Sequence, residues 1–175
     1  MKELLAKTIV AISLAILLIA GSSATQVRGQ QSVKEDGSEL AVETGKGARA
    51  LEGSWTVQTT IRSCTTGAPF ATFAKMVTFM QGGTAQEDSV GSAPLARASG
   101  HGVWSYAGEH NFSYAVQFFR FNADGTYGTL TRARWQVEMG ETADSYSASA
   151  AIQVFNPAGM QVATACATET AIRFE

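Results

Sequence analysis

Short runs rich in Val, Ile, Thr, Phe, Tyr and Trp begin at Gly53 and continue to the end of the chain, separated by Gly, Asn, Asp and Pro. This pattern predicts β-strands joined by turns, and no helical period competes with it. Eight sequential antiparallel strands suit an up-and-down barrel, because closure removes exposed sheet edges. The predicted fold class is therefore all-β, an eight-stranded antiparallel up-and-down barrel. The predicted strands are 53–64, 70–81, 83–89, 101–106, 111–122, 126–139, 144–155 and 160–174.

The inward face of the barrel follows from the predicted hairpin at Asp124-Gly125. A two-residue turn there pairs Ala123 with Thr126, and the apolar face that results points inward. The other face carries Gln117 opposite Arg132, which suits solvent. The inward pairs are Phe118 with Thr131, Val116 with Ala133, Tyr114 with Trp135 and Phe112 with Val137.

Small and aromatic side chains share the predicted interior. Inward and outward side chains alternate along each strand, and the same alternation continues across the predicted turn at Gly140-Glu141. It places these residues of the next strand inward: Tyr146, Ala148, Ala150, Ile152 and Val154. Further inward alanines are Ala133, Ala163, Ala165 and Ala171. Alanines opposite Tyr114, Trp135 and Tyr146 either leave a cavity for a small apolar ligand or interdigitate with the aromatic rings in a dry core.

Two charged residues, Lys75 and Glu169, fall on the same inward face, flanking Thr59 and Ile61 of the first strand. A buried pair would orient a polar ligand group or transfer a proton. The alternative is that both lie at the barrel mouth, or that a one-residue slip places both in solvent. With Tyr114, Trp135 and Tyr146, they complete the ligand-binding candidates.

The amino-terminal segment, residues 1–24, has the pattern of a signal peptide. Lys2 and Lys7 precede an apolar run over residues 9–20, which is too short to span a bilayer. Ser22 and Ala24 supply the small residues of a cleavage site, so cleavage is expected near Ala24. We expect a secreted or periplasmic protein with three parts: a signal peptide over 1–24, a polar disordered linker over 25–51, and a barrel domain over 52–175.

Charge and cysteine content restrict the partners. Without residues 1–24, the chain has 11 basic and 14 acidic residues, which argues against nucleic acid and anionic membranes. Cys64 and Cys166 are the only cysteines, and in an oxidising compartment they predict a disulfide. A metal site lacks ligands at recognisable spacings, and no cofactor is expected. The disulfide makes the first and last strands neighbours and places Val57 near Arg173.

The opening Gly53-Ser54-Trp55 and the late Arg173 resemble the lipocalin and wider calycin barrels. The resemblance implies that Trp55 packs near the barrel base under Arg173. The chain departs from lipocalins in having no helix after the barrel, and G-x-W also opens avidin-like barrels and small secreted protease-inhibitor barrels. Together with Gly100-His101-Gly102-Val103-Trp104, the pattern is most similar to uncharacterised secreted bacterial proteins.

No catalytic residue is predicted, since the chain has no G-x-S-x-G, phosphate-binding loop or dinucleotide fingerprint. The leading interpretation is a secreted barrel that binds a small, largely apolar ligand without catalysis and has no stable membrane insertion after processing. A protein-binding barrel, such as a protease inhibitor, is the first alternative. The second is a barrel isomerase or cyclase resembling allene oxide cyclases or dirigent-like proteins. The sequence leaves the oligomeric state open.

Overall fold

The computed structural model describes residues 47–90 and 96–174 of the chain. The predicted signal peptide, residues 1–24, lies outside the described residues, and so does the predicted linker up to residue 46. No helix within the described ranges is long and apolar enough to cross a membrane.

Eight antiparallel strands close into an up-and-down barrel, β1 to β8 in chain order, each paired with its neighbours along the chain and β8 paired with β1. The predicted fold class is confirmed, and each predicted strand end lies within two residues of the observed one. The strands are β1 (Gly53–Arg62), β2 (Pro69–Met80), β3 (Thr84–Ser89), β4 (Gly100–Gly108), β5 (Asn111–Phe121), β6 (Tyr127–Met139), β7 (Ser145–Phe155) and β8 (Gln161–Arg173).

The predicted register between β5 and β6 is confirmed from Phe118↔Thr131 to Phe112↔Val137. The turn itself differs from the prediction, because it has three residues, 123–125, between the hydrogen-bonded Asn122 and Thr126. A register shift next to Phe121 compensates for the extra residue. The inward face therefore stays as predicted, and Arg132 on the outer face donates to Gln117 at 3.3 Å.

The disulfide between Cys64 and Cys166 is present, with the two Cα atoms 5.0 Å apart. The register derived from it is wrong by two residues: Val57 pairs with Ala171, and Trp55 pairs with Arg173. The reason is that Cys64 lies beyond the end of β1, so the bridge joins residues that are not directly opposite. A slip of two positions keeps every side chain on its predicted face.

The base of the barrel is closed by the packing that the calycin resemblance implies. The Arg173 guanidinium lies 4.3 Å from the centre of the Trp55 ring and donates to the carbonyl oxygens of Glu52, at 2.8 Å, and Ala50, at 2.7 Å. Gly53 is required here, because its φ is +116° and a Cβ atom would lie 2.9 Å from the Arg173 guanidinium.

The last residues of the predicted linker belong to this base. Leu51 is fully buried, and its carbonyl accepts a hydrogen bond of 2.9 Å from the Trp55 indole. Leu51, which the sequence assigns to the linker, therefore packs against the barrel. The polar composition of residues 25–51 as a whole concealed one buried leucine and several backbone carbonyls that satisfy Trp55 and Arg173.

Candidate ligand-binding site

The barrel interior has a closed aromatic base and a cavity towards the other end. The cavity measures about 200 Å³. It is bounded mainly by apolar side chains of six strands, among them Ile61, Phe73, Phe118, Ala133, Trp135, Ile152, Val154 and Ala165. Because β1 runs from the base at Trp55 towards Arg62, the Ile61 side of the cavity is the mouth.

Ionisable side chains form the floor of the cavity at mid-height in the barrel. Lys75 of β2 and Glu169 of β8 both face inward, with exposed fractions of only 4% and 2%. The alternative that both are solvated is therefore wrong. Lys75 Nζ lies 2.7 Å from Glu87 Oε2, also pairs with Glu169, and donates to the Tyr114 hydroxyl at 3.2 Å.

Glu169 is held by hydrogen bonds from two further strands. Tyr114 of β5 donates to its Oε2 at 2.6 Å, and Thr59 of β1 donates to its Oε1 at 2.9 Å. Burial raises the pKa of Glu169, and the charge of Lys75 with these hydrogen bonds offsets only part of that rise. Burial together with the Glu169 charge also raises the pKa of Tyr114.

Glu87 connects this floor to the mouth. Its second oxygen accepts a hydrogen bond of 2.6 Å from Arg97, which lies in the connection between β3 and β4. Burial alone would raise the pKa of Glu87, but the charges and hydrogen bonds of Lys75 and Arg97 outweigh burial, so the pKa is lowered. Arg97 also donates to Ser89 at 2.8 Å, and its guanidinium lies 3.5 Å from the centre of the Phe118 ring.

Two buried polar atoms on the cavity wall have no hydrogen-bond partner among the described residues. These are Thr131 Oγ1 and Trp135 Nε1, on side chains that are 4% and 2% exposed. An indole N–H can only donate, and a buried polar group without a partner costs about 1 to 3 kcal/mol. Two side chains of the cavity wall therefore each carry a polar atom whose hydrogen-bonding capacity is unused among the described residues.

The predicted ligand-binding residues occupy different positions relative to the cavity. Lys75 and Trp135 line it, whereas Tyr114 and Glu169 lie behind Lys75. Tyr146 lies in the base, with its ring centre 5.0 Å from that of Trp55. Ligand binding by any of these five residues stays a prediction.

The six predicted interior alanines divide in the same way. Ala133 and Ala165 line the cavity, while Ala148, Ala150 and Ala171 are packed elsewhere in the interior and Ala163 is exposed on β8. The barrel therefore combines the two alternatives that its composition left open, with a packed base and a cavity above it.

Sequence reasoning did not find Glu87, Arg97 and Arg120, although all three line the cavity. The signal for Arg120 was available, since it continues the inward alternation of Phe118. Glu87 was hidden by the β2–β3 turn. A two-residue turn at Gly82-Gly83 would place Glu87 outward, but the turn has three residues and pairs Glu87 with inward-facing Val77.

Wider depressions lie on the outside of the barrel. One of them, about 700 Å³, is lined by residues such as Thr56, Ser147 and Ile172, and Glu138 is the carboxylate among its lining residues. In the described part of the chain, no three His, Cys, Asp or Glu side chains are grouped as metal ligands. The interior cavity is thus where apolar walls, charge and unpaired donors coincide.

A scan against protein-family models gives no match for this chain, and a comparison with curated proteins finds no relative. The class is therefore defined by the fold: a closed, eight-stranded, up-and-down antiparallel barrel, compatible with the calycin architecture.

Proposed function

We propose that this chain is a lipocalin-like barrel, exported from the cytoplasm, that binds a small and largely apolar molecule in its interior cavity without transforming it. The observation that carries the proposal is the indole N–H of Trp135, which has no partner among the described residues and belongs to the wall of a cavity bounded mainly by apolar side chains. A bound molecule with one acceptor would satisfy that donor and cover the apolar wall at the same time.

The cavity volume sets the size of the molecule. At about 200 Å³ it exceeds the ~150 Å³ of an engineered cavity that binds benzene. It is smaller than the 300–1,000 Å³ that is typical of pockets for drug-sized ligands. The expected ligand therefore has one ring or a short alkyl chain.

Binding is favoured over catalysis because the ionisable groups near the cavity are engaged with one another. Both oxygens of Glu87 accept hydrogen bonds from cations, and both oxygens of Glu169 accept hydrogen bonds from hydroxyl groups. A general base needs a free lone pair within hydrogen-bond reach of the substrate. Both carboxylates are instead held by donors of the protein, and Glu169 lies behind Lys75, which favours a structural role for them.

Export is supported by the disulfide, which is typical of non-reducing compartments. The signal-peptide pattern of residues 1–24 also supports export. Sequencing of the exported protein's amino terminus should start at or near Thr25, and an intact Met1 would contradict export with cleavage.

The test of binding blocks the cavity from its wall. Ala165 lines the cavity on β8, whereas Ala151 on neighbouring β7 is exposed on the outside of the barrel. Ala165→Phe should abolish ligand uptake with little loss of stability, because the new ring enters open space. Ala151→Phe adds the same ring outside and should leave uptake unchanged.

Uptake is measured by native mass spectrometry of the purified protein and by quenching of tryptophan fluorescence with one-ring and short-chain compounds. If no compound binds the parent protein, and Ala165→Phe loses the ~1–3 kcal/mol that is typical of overpacking, the interior is filled and the proposal is wrong.

A further inference from the structure

The charges around the cavity are unbalanced. Among the described residues, three cationic side chains line it, those of Lys75, Arg97 and Arg120, and one carboxylate does, that of Glu87. Glu169 lies behind Lys75 and is already shared with Tyr114 and Thr59. The wall of the cavity therefore carries a net positive charge towards its mouth.

Two of the three cations already have partners. Lys75 pairs with both glutamates. Arg97 uses its two terminal nitrogens for Glu87 and Ser89, and its Nε donates to the Ala98 carbonyl at 3.2 Å. Neither of these side chains has a free, correctly directed pair of N–H groups for a ligand.

Arg120 differs from the other two. It continues the inward face of β5 above Phe118, and its guanidinium lies 5.4 Å from the centre of the Phe118 ring. It forms no ion pair with any residue in the described ranges. The nearby positive charge of Arg97 favours an anion beside it. A guanidinium that has no ion-pair partner in the described part of the chain, at the rim of a mainly apolar cavity, is suited to a carboxylate, which it binds through two parallel hydrogen bonds.

Thr131 adds a second donor at the next level of the barrel. Arg120 pairs with Thr129, and one step further inward Phe118 pairs with Thr131. The buried, unpartnered Thr131 hydroxyl therefore lies directly below the Arg120 level. One guanidinium and one hydroxyl suit the two oxygens of a carboxylate better than the three oxygens of a phosphate or phosphonate.

We propose that the ligand of this barrel is a small carboxylic acid bound as its anion, with the carboxylate at Arg120 and the apolar body below it between Phe118 and Ile152. The carboxylate is then a second polar group, separate from the acceptor that would satisfy the Trp135 N–H deeper in the cavity. This inference rests on the proposed binding function. It adds the chemical class of the ligand and the residue that recognises it.

The test compares compounds that have the same shape and differ in charge. Phenylacetate and hexanoate are titrated against their neutral amides and against benzylphosphonate, with tryptophan fluorescence and calorimetry as readouts. We expect each carboxylate to bind at least about tenfold more tightly than its amide, the lower range for a charge-assisted hydrogen bond. We expect benzylphosphonate to bind more weakly than phenylacetate.

The matched variants are Arg120→Gln and Arg134→Gln, which remove the same charge from the inside and the outside of the barrel. Arg134 is exposed and donates to Gln153 at 3.0 Å on the outer face. Arg120→Gln should weaken the carboxylates about tenfold and leave the amides unchanged. Arg134→Gln should change neither class, and both variants should melt like the parent protein because both positions are exposed.

The outcomes separate the two proposals. Equal affinity for acids and amides, or an equal effect of the two arginine variants, overturns the carboxylate proposal while the binding function stands. Tighter binding of the phosphonate overturns the carboxylate class. Absence of binding by every compound overturns both.

Discussion

Glu87 and Glu169 contact the same Lys75 ammonium from different strands, yet their pKa values shift in opposite directions. Burial is the largest influence on each and raises both pKa values. Glu87 has two cationic partners, Lys75 and Arg97, which together outweigh burial. Glu169 has one cation and two hydroxyl donors, which do not. The number of cations that each carboxylate contacts therefore decides the direction of the shift.

Substituting each carboxylate by its amide tests this difference. Glu87→Gln leaves Arg97 without its carboxylate, so we expect a loss of about 3 to 5 kcal/mol in the free energy of unfolding. Glu169→Gln keeps a carbonyl acceptor for Thr59, and Lys75 keeps Glu87, so the loss should be about 1 kcal/mol. Urea unfolding of both variants and of the parent at neutral pH gives the comparison.

The same variants should differ in their pH dependence. A lowered pKa stabilises the folded state above the ordinary glutamate pKa of about 4.3, and this stability is lost as pH falls through the folded-state pKa. The stability gap between the parent protein and Glu87→Gln should therefore narrow in acid. For Glu169 the pKa is raised, so its contribution is present below about pH 4.3 and is lost as pH rises. The stability gap between the parent protein and Glu169→Gln should therefore widen in acid. If both stability gaps changed in the same direction with pH, the opposite pKa shifts of Glu87 and Glu169 would be contradicted.

At the scale of single elements, the backbones of β4 and β5 lie close together at Gly102, opposite Val116. A Cβ atom at Gly102 would lie 2.0 Å from the Ala115 carbonyl oxygen and 2.9 Å from the Val116 Cα atom. These are backbone atoms, so no side-chain rotation relieves the overlap. The absence of a side chain at this position therefore allows the two strands to pair.

Gly102→Ala should accordingly force β4 away from β5 and lower the free energy of unfolding by about 1 to 3 kcal/mol or more. Gly47→Ala is the control, because its Cβ would make an ordinary contact of 3.8 Å with the Tyr106 hydroxyl. The control should be neutral or slightly stabilising. Thermal melting of the two variants provides the measurement, and equal melting temperatures would contradict the close approach.

The predicted strand pairs hold or fail according to whether the length of the turn between the strands was predicted correctly or its error was compensated. At the β5–β6 hairpin the turn is one residue longer than predicted, but the register shift beside Phe121 cancels the error and the predicted pairs hold. At the β2–β3 hairpin the extra residue is not compensated, and Glu87 turns inward unpredicted. Alternation along a strand is thus readable from sequence. Turn length is set by local backbone geometry that the sequence pattern does not specify.

The site is less predictable than the fold for the same reason. Lys75 and Glu169 follow from alternation along β2 and β8, because an even slip in the β1–β8 register leaves the faces unchanged. Arg97 lies outside the strands, and no alternation applies to it. Its contact with Glu87 depends on the path of the chain between β3 and β4, a tertiary property.

At the scale of the whole molecule, closure depends on the pairing of the two terminal strands of the domain. β1 is paired with β8 from Trp55↔Arg173 at the base to Arg62↔Cys166 near the mouth. The Cys64–Cys166 disulfide fixes the upper end of this seam, and Arg173 with Trp55 fixes the lower end. The disulfide joins residues 102 positions apart, so it restricts the unfolded chain over most of the domain.

Removing this bridge should weaken the barrel without changing its fold. In the chain-entropy relation, a loop of about 100 residues contributes on the order of 4 to 5 kcal/mol. The double variant Cys64→Ser/Cys166→Ser should therefore unfold at a lower urea concentration. The variant's free energy of unfolding should fall more steeply with urea concentration than that of the parent, since the uncrosslinked unfolded chain exposes more surface.

Two controls accompany this prediction. The parent protein unfolded in the presence of a reductant should behave like the double variant. Thiol titration of the denatured, unreduced parent should detect no free thiol. Two free thiols in the exported protein, or identical unfolding of the variant and the unreduced parent, would mean that β1–β8 pairing closes the barrel without help from the disulfide.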